Sequence, residues 1–561
     1  MTVGISNRRV WLGAFARRLT VAAALIASFT AFADGDSLYF YPGNLVVSRS
    51  VYDNNPNTIQ VGQMLPPNCD TTMAVAGSCV TAVNDGTYPF VFNNAPIDAS
   101  FGITSKIFLD QITTSGALLT SLEVPNSSQN GVPPTKDQLV TSFSSKSEIA
   151  LNLSTDHSYL TFMGYVSPID AIDASNANTA GAVDPTNPVG ENVFRAVAQV
   201  DAKGKFKFTE TNAYSGNNGR AAVLNNTAGA NVFYTSGNAG NGGNPQPDGI
   251  VIGAGAQIIN PETKALVAQN PGSPTPVGSF SITQLGDAAD KVGKDTNFRG
   301  LTIFNNVIYT TKGSGGNGIN TVYFIDTTGQ ACPSTSTTPG VGLPQSSATL
   351  PTSGIPFDPT LLQTEGVTPY NMCVLSGFPT KLKSKTSFPF GVWFANAATL
   401  YVADEGNGDN TYVPGPGGAL GTYTVAAAQT KAGLQKWVFD STTQQWNLAY
   451  TLQSGLALGT PYTIAGFPAG NNPATGLPWA PATDGLRNIT GTVNGDTATI
   501  YAITSTVSGN GDQGADPNKL VAITDSLAAA GPTAPSGESF ATLRSANNLE
   551  VLRGVSFTPG S

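Results

Sequence analysis

The sequence predicts an all-β fold, a six-bladed β-propeller, from three observations. A two-strand phrase recurs along the chain, opening near Arg-Gly and closing near Tyr. It reads FRGLTIFNNVIYTT from Phe298, FGVWFANAATLYVAD from Phe390, LRNITGTVNGDTATIYAIT from Leu486 and GRAAVLNNTAGANVFYTS from Gly219, and more loosely SEIALNLSTDHSYLTFMGY from Ser147. The sixth copy is divided: VLRGVSFTPGS from Val551 is a first strand without a second, and NLVVSRSV from Asn44 is a second strand without a first. Joined, the halves complete a blade, the device by which a propeller leaves no sheet edge open. Finally, further strand pairs rich in aromatic and β-branched residues follow the phrases, such as LQKWVFD from Leu434 and WNLAYTL from Trp446.

Taken from the N-terminus, residues 1–33 read as an export signal. Arg8, Arg9, Arg17 and Arg18 precede an apolar run from Leu19 to Phe32, and Ala31-Phe32-Ala33 supplies the small-residue cleavage site. Asn7-Arg8-Arg9-Val10-Trp11-Leu12 also fits the twin-arginine pattern, so both that route and the ordinary secretory one stay open. No later apolar run has the length of a membrane span, which makes 34–561 a single soluble domain, periplasmic or secreted. The leader holds four of the 27 basic residues and none of the 36 acidic ones, leaving 23 against 36, a formal charge of −13. Nucleic acid is excluded as a partner, because phosphate binding needs a basic face.

In the closing blade, Asn44 onward gives the second strand, and SKIFLDQ from Ser105 and ALLTSLEV from Ala117 give the third and fourth. The other first strands open at Ser147, Arg220, Arg299, Phe390 and Arg487, before the sixth at Arg553. VYFID from Val322 and KLVAITD from Lys519 are third strands. The spacings exceed those of a compact blade, and the surplus lies in Gly/Asn/Pro stretches. A seven-bladed alternative requires Gly249 to Pro276 or Gly340 to Pro379 to hide a blade. Loops joining second to third strands emerge on one face, and that face is the expected place for function. Four cysteines in an oxidising compartment suggest two loop-stapling disulfides, Cys69 with Cys79 and Cys332 with Cys373. Their spacings match no zinc motif.

The segment PFGVWFANAATLYVADEGNG, from Pro389 to Gly408, resembles an NHL-type propeller repeat, a P-x-G-[VI] strand followed by LYVAD-x-GN. The likeness covers one blade, and the other units match it in outline. What it implies is the superfamily of NHL-like and gluconolactonase-like six-bladed propellers, whose members include binding scaffolds, calcium-dependent lactonases and lyases. Fold kinship of this kind leaves activity open.

Candidate chemistry centres on the channel mouth. Four of the six first strands open with arginine, Arg220, Arg299, Arg487 and Arg553, and Arg49 and Lys312 stand just past second strands. Guanidinium groups converging there would hold a carboxylate, phosphate or acidic sugar. The competing reading is that they brace neighbouring blades, with Asp404 and Asp484 as partners. Asp404, Glu405 and Asp409 share one loop and could offer oxygen ligands to calcium, although no D-x-D-x-DG loop is present. His157, the only histidine, rules out a bis-histidine haem and a two-histidine acid/base pair, and its turn belongs to the face opposite the long loops. The expected function is an exported binding or interaction module for a small anionic ligand or another exported protein. The alternative is a lactonase- or lyase-like enzyme using mouth carboxylates and arginines with calcium.

Overall fold

The structure is a computed structural model that describes residues 38–65, 80–94, 102–176, 193–211, 213–214, 217–238, 255–261, 276–278, 297–313, 319–332, 339–354, 371–381 and 386–561. Six antiparallel sheets form the six blades of a propeller. Blade 1 runs Asn152–Leu153, Tyr159–Tyr165, Arg195–Asp201 and Phe206–Thr211, in sequence order from first strand to fourth. Blade 2 is Gly219–Asn225, Val232–Gly237, Ala256–Ile259 and Pro276–Gly278. Blade 3 is Leu301–Phe304, Val307–Lys312, Thr321–Ile325 and Met372–Leu375, with Val341–Gly342 added in parallel. Blade 4 is Pro389–Asn396, Thr399–Asp404, Gly433–Asp440 and Gln445–Leu452. Blade 5 is Ala482–Asn494, Thr497–Val507, Lys519–Ser526 and Ala541–Ser545. The stretches that a seventh blade would have needed supply outer strands of blades 2 and 3.

Blade 6 closes the ring as the divided repeat predicts. Its first strand is Glu550–Phe557, its second Leu45–Val51, and its outer pair Thr104–Ile112 and Leu118–Glu123. The closing register sets Leu45 opposite Phe557, Val47 opposite Val555 and Arg49 opposite Leu552. Burial follows position in the blade. Every residue of Thr399–Asp404 and of Thr321–Ile325 is buried, because a middle strand is covered by a neighbouring blade on both faces. No residue of the outermost Leu118–Glu123 is fully buried. The seam between blades 3 and 4 shows how the faces mesh: Phe304 stacks on Phe394 with ring centres 4.5 Å apart.

A bulge recurs at the Arg-Gly step and explains the motif. Arg220-Ala221 lies opposite Ser236, Arg487-Asn488 opposite Ile503, and Arg553-Gly554 opposite Ser48, two residues facing one in each case. Phe390-Gly391 faces Ala403 in the same way, and Arg299 N donates to Thr311 O while Thr311 N donates to Gly300 O, so that Arg299-Gly300 faces Thr311. Such bulges re-aim the first of the two side chains. The second residue must be small because the next blade's backbone presses on it. A Cβ on Gly391 would stand 2.6 Å from the Arg487 carbonyl oxygen, and one on Gly554 2.6 Å from that of Ile149. Second-strand hydroxyls use the same contacts: Ser48 donates to Ile149 O at 2.8 Å and Thr311 donates to Phe390 O.

Cys332 and Cys373 form a disulfide that ties the exit of blade 3's third strand to its fourth. Cys69 and Cys79 lie outside the described residues, as does the 1–33 leader. Among the described residues no helix is long and apolar enough to cross a membrane.

Candidate functional site

The bulges bring the four arginines into one layer at the long-loop end of the channel. Arg220, Arg299, Arg487 and Arg553 are between 2 and 7% exposed. Blades 1 and 4, opposite each other in the ring, carry Ile149 and Phe390 at this level. Each contributes a glutamate instead: Glu148, just before Ile149, and Glu405, just past the second strand of blade 4. Around the axis the charges therefore run Glu148, Arg220, Arg299, Glu405, Arg487, Arg553. Glu405 Oε2 accepts from Arg487 Nε at 3.1 Å, and its Oε1 lies 3.9 Å from Arg299 Nη2. Glu148 is held by Tyr165 OH at 2.6 Å, Thr141 Oγ1 at 2.7 Å and Ser142 N at 2.9 Å, and its field reaches both Arg220 and Arg553. Asp512, buried in the 510s loop, also acts on Arg553, so among the described residues four guanidinium groups face three buried carboxylates and one positive charge is left over.

The surplus shows in the hydrogen bonding. Arg553 Nη2 donates to Phe143 O and to Gly514 O, at 3.1 Å for the latter, while its Nε and Nη1 have no acceptor among the described residues. Arg220 Nη1 donates to Asn297 Oδ1 and, at 2.8 Å, to Phe298 O; its Nε has no acceptor among them. Burial, then the neighbouring Arg299, pushes Arg220 down to about 9; burial, then Arg487, does the same to Arg553. Both stay charged at neutral pH. By contrast Arg195, equally deep and stacked on Tyr165, donates to the carbonyls of Asn217, Val193 and Ser175 through all three of its nitrogens.

The other sequence candidates are placed differently. Arg49 pairs with Asp110 and Glu550, each at 2.7 Å, on the seam between blades 5 and 6, where Arg544 also meets Asp110 at 2.9 Å. Lys312 is buried, with Nζ 3.5 Å from Asn320 Oδ1. The expected Asp404 and Asp484 partners of the arginines are replaced by Glu405. Asp404 takes Phe388 N at 2.8 Å, Gly406 N at 3.0 Å and Gln435 Nε2 at 3.0 Å. Asp484 takes Gly408 N at 2.8 Å and Gln429 Nε2 at 2.6 Å. Burial raises the two acids to about 6 and about 7. The physical reason is strand alternation: Asp404 and Glu405 are consecutive, so one faces the blade interior when the other faces the axis.

The calcium candidates do not converge. Asp409 is exposed and caps its own turn by accepting from Thr411, away from the buried Asp404 and Glu405. The one three-ligand group among the described residues is Asp326 with Cys332 and Cys373, whose sulfurs are joined to each other.

Sequence reasoning missed the roof over this layer. Between the second and third strands of blade 6, the described residues 52–65 and 80–94 with Ile103 build a cap around Tyr88 and Phe92, joined by Phe143, Phe467 and Trp479. Tyr88 OH donates to Ala515 O at 2.8 Å, and the 510s loop beneath supplies the Gly514 carbonyl that Arg553 reaches. On the other side of the layer lies a cavity of about 620 Å³, lined by Gly300, Gly391 and Asn488 next to the ring residues and by His157, Asn305 and Asn306 in the opposite turns. Among the described residues its lining carries no carboxylate or guanidinium. His157 Nδ1 is 3.0 Å from Ser561 O there, which puts the histidine at the end of the channel away from the arginines.

No protein-family model matches the chain, and no curated protein matches it at the significance required. The propeller rests on its own sheets, and the NHL-like likeness of Pro389 to Gly408 stays a likeness of one blade.

Proposed function

We propose that this protein is an exported binding module whose ring of arginines and glutamates holds an anionic group, with the uncharged remainder of the ligand in the channel below. The observation that carries this reading is the set of free donors on Arg553 and Arg220. A buried guanidinium nitrogen without an acceptor is costly, and an anion bridging Arg220 and Arg553 past Glu148 would satisfy three of them together. The neutral, amide- and hydroxyl-bearing walls suit the body of such a ligand, as small-molecule sites generally combine a few fixed polar groups with a largely uncharged enclosure. A binder of this sort needs no catalytic histidine or metal.

The test is a thermal-shift series with phosphate, malonate and acetate at constant ionic strength. A ligand that binds only the folded state raises its melting temperature. Phosphate or malonate should do so, more than acetate, and the shift should vanish in the Arg220→Gln, Arg553→Gln double variant. No anion-dependent shift in the wild type would leave the ring as a brace between blades.

A further inference from the structure

Away from the ring, blades 4 and 5 meet across a second buried cluster. Lys436, in strand Gly433–Asp440, and Asp525, in Lys519–Ser526, approach to 2.9 Å from Nζ to Oδ2, and both side chains are entirely shielded from solvent. Tyr450 OH donates to Asp525 Oδ1 at 2.7 Å, and Tyr401 OH donates to Oδ2. Lys436 Nζ also donates to Ser526 O at 2.6 Å and lies over the Tyr450 ring, 5.2 Å from its centre. Glu538 completes the group. Its Oε1 accepts from Ser526 N at 3.0 Å, its Oε2 is buried with no donor among the described residues, and its carboxyl lies in the field of the Asp525 carboxylate. Burial, then contact with Asp525, raises Glu538 to about 7, so it holds a proton near neutrality.

We infer that Lys436 and Asp525 condense into an intramolecular isopeptide bond, with Glu538 carrying the protons. A proton passes from the Lys436 ammonium, by way of Glu538, to the Asp525 carboxylate, giving a neutral amine and a neutral acid. Nζ then attacks Cγ, forming the C–N bond. The Tyr401 and Tyr450 hydroxyls, already donating to the two carboxylate oxygens, stabilise the negative charge of the tetrahedral intermediate. The C–O bond breaks as Glu538 protonates the departing hydroxyl, and the proton lost from nitrogen returns to Glu538. An ammonium and a carboxylate become an amide and water, with no oxidant or reductant.

Two features drive the step in this place. The reacting atoms are fixed by neighbouring strands, which makes an intermolecular condensation an intramolecular one with a high effective concentration. The ion pair has been taken out of water, where charge is penalised, and the amide product is neutral. Sequence gives no hint of the site, because Lys436 and Asp525 belong to different blades and meet only through packing.

The experiment is mass spectrometry of the full chain as purified, denatured and reduced, with the processed N-terminus determined independently. The wild type should be lighter than its sequence by about 18 Da, one water. A proteolytic digest should contain a branched peptide joining the Lys436 and Asp525 segments. Lys436→Arg should restore the full mass. Glu538→Gln keeps both reacting residues and should leave most molecules unlinked. A wild-type chain of full mass, with Lys436 and Asp525 in separate peptides, overturns the inference, as does a deficit that persists in Lys436→Arg. The wild-type digest decides the matter even if a variant fails to fold.

Discussion

Arg553 at the channel mouth and Arg49 on the seam of blades 5 and 6 stand in the same blade, on paired strands, Arg553 2% exposed and the Arg49 side chain 11%. Arg49 directs Nε and Nη2 at Asp110 and Nη1 at Glu550, and lies over the Phe108 ring. Arg553 has two backbone carbonyls and two nitrogens left over. At the seam two guanidinium groups meet two carboxylates, and one nitrogen, Arg544 Nη1, lacks an acceptor, whereas at the mouth Arg553 and Arg220 leave three nitrogens without one among the described residues. Burial of a charge therefore does not by itself separate a brace from a site, but the balance of donors and acceptors around it does.

Removing Val551–Ser561 should have the largest effect of all, because it takes away the first strand of blade 6 and with it both arginine settings. Scanning calorimetry should show loss of the cooperative transition and aggregation through the exposed edges. A truncated chain melting as sharply as the full one would break the closure argument. Next comes Asp110→Ala, which strands Arg544 and leaves Arg49 with Glu550 alone. Chemical denaturation should show a loss of about 3–5 kcal/mol, the cost of leaving buried charge uncompensated. A change under about 1 kcal/mol would mean the seam is solvated and behaves as surface ion pairs do.

At the mouth the comparison predicts the opposite. Arg220→Gln alone removes the surplus charge and leaves Glu148 its other neighbour Arg553, so stability should shift by no more than about 1 kcal/mol, the range of substitutions that break no paired network. A loss as large as that of Asp110→Ala would show that ring and seam are alike. A further effect concerns pH. Asp484 and Asp516 are raised by burial from an ordinary 3.8 to about 7. Folded chains thus hold protons between those values that unfolded chains release. The stability these acids confer is complete below about pH 4 and gone above about pH 7, so melting temperature should rise between pH 8 and pH 5. A lower melting temperature at pH 5 would show other groups dominating that window.

Most of the architecture was legible in the sequence because a propeller repeats itself. The Arg-Gly step, the tyrosine at the second strand and the divided copy at the two ends are each visible without coordinates. The arginine layer was legible for the same reason. Glu148 and Glu405 were not singled out as its partners, since neither sits at a repeated position and alternation along the strand decides between Asp404 and its neighbour. The aromatic roof around Tyr52, Tyr88 and Phe92 was also hidden, because an irregular insertion has no period to read. Arg49 shows the limit of placing a side chain by strand end alone: its register opposite Leu552 sends it into the seam.

Closure also determines when the mouth exists. Gly554 N donates to Ser48 Oγ across a separation of 506 positions, so blade 6 forms only after a loop spanning nearly the whole domain has shut. Long-range pairing of this kind is slow, since the entropy of the loop is lost before the contacts form. Arg553 comes into the layer with that same strand. A molecule whose blade 6 is open has a ring lacking one arginine, and any anion the ring holds would bind the shut form in preference. Ligand occupancy and the joining of the two strands are then linked through one equilibrium, and the ligand would act as a clasp that slows the propeller's opening.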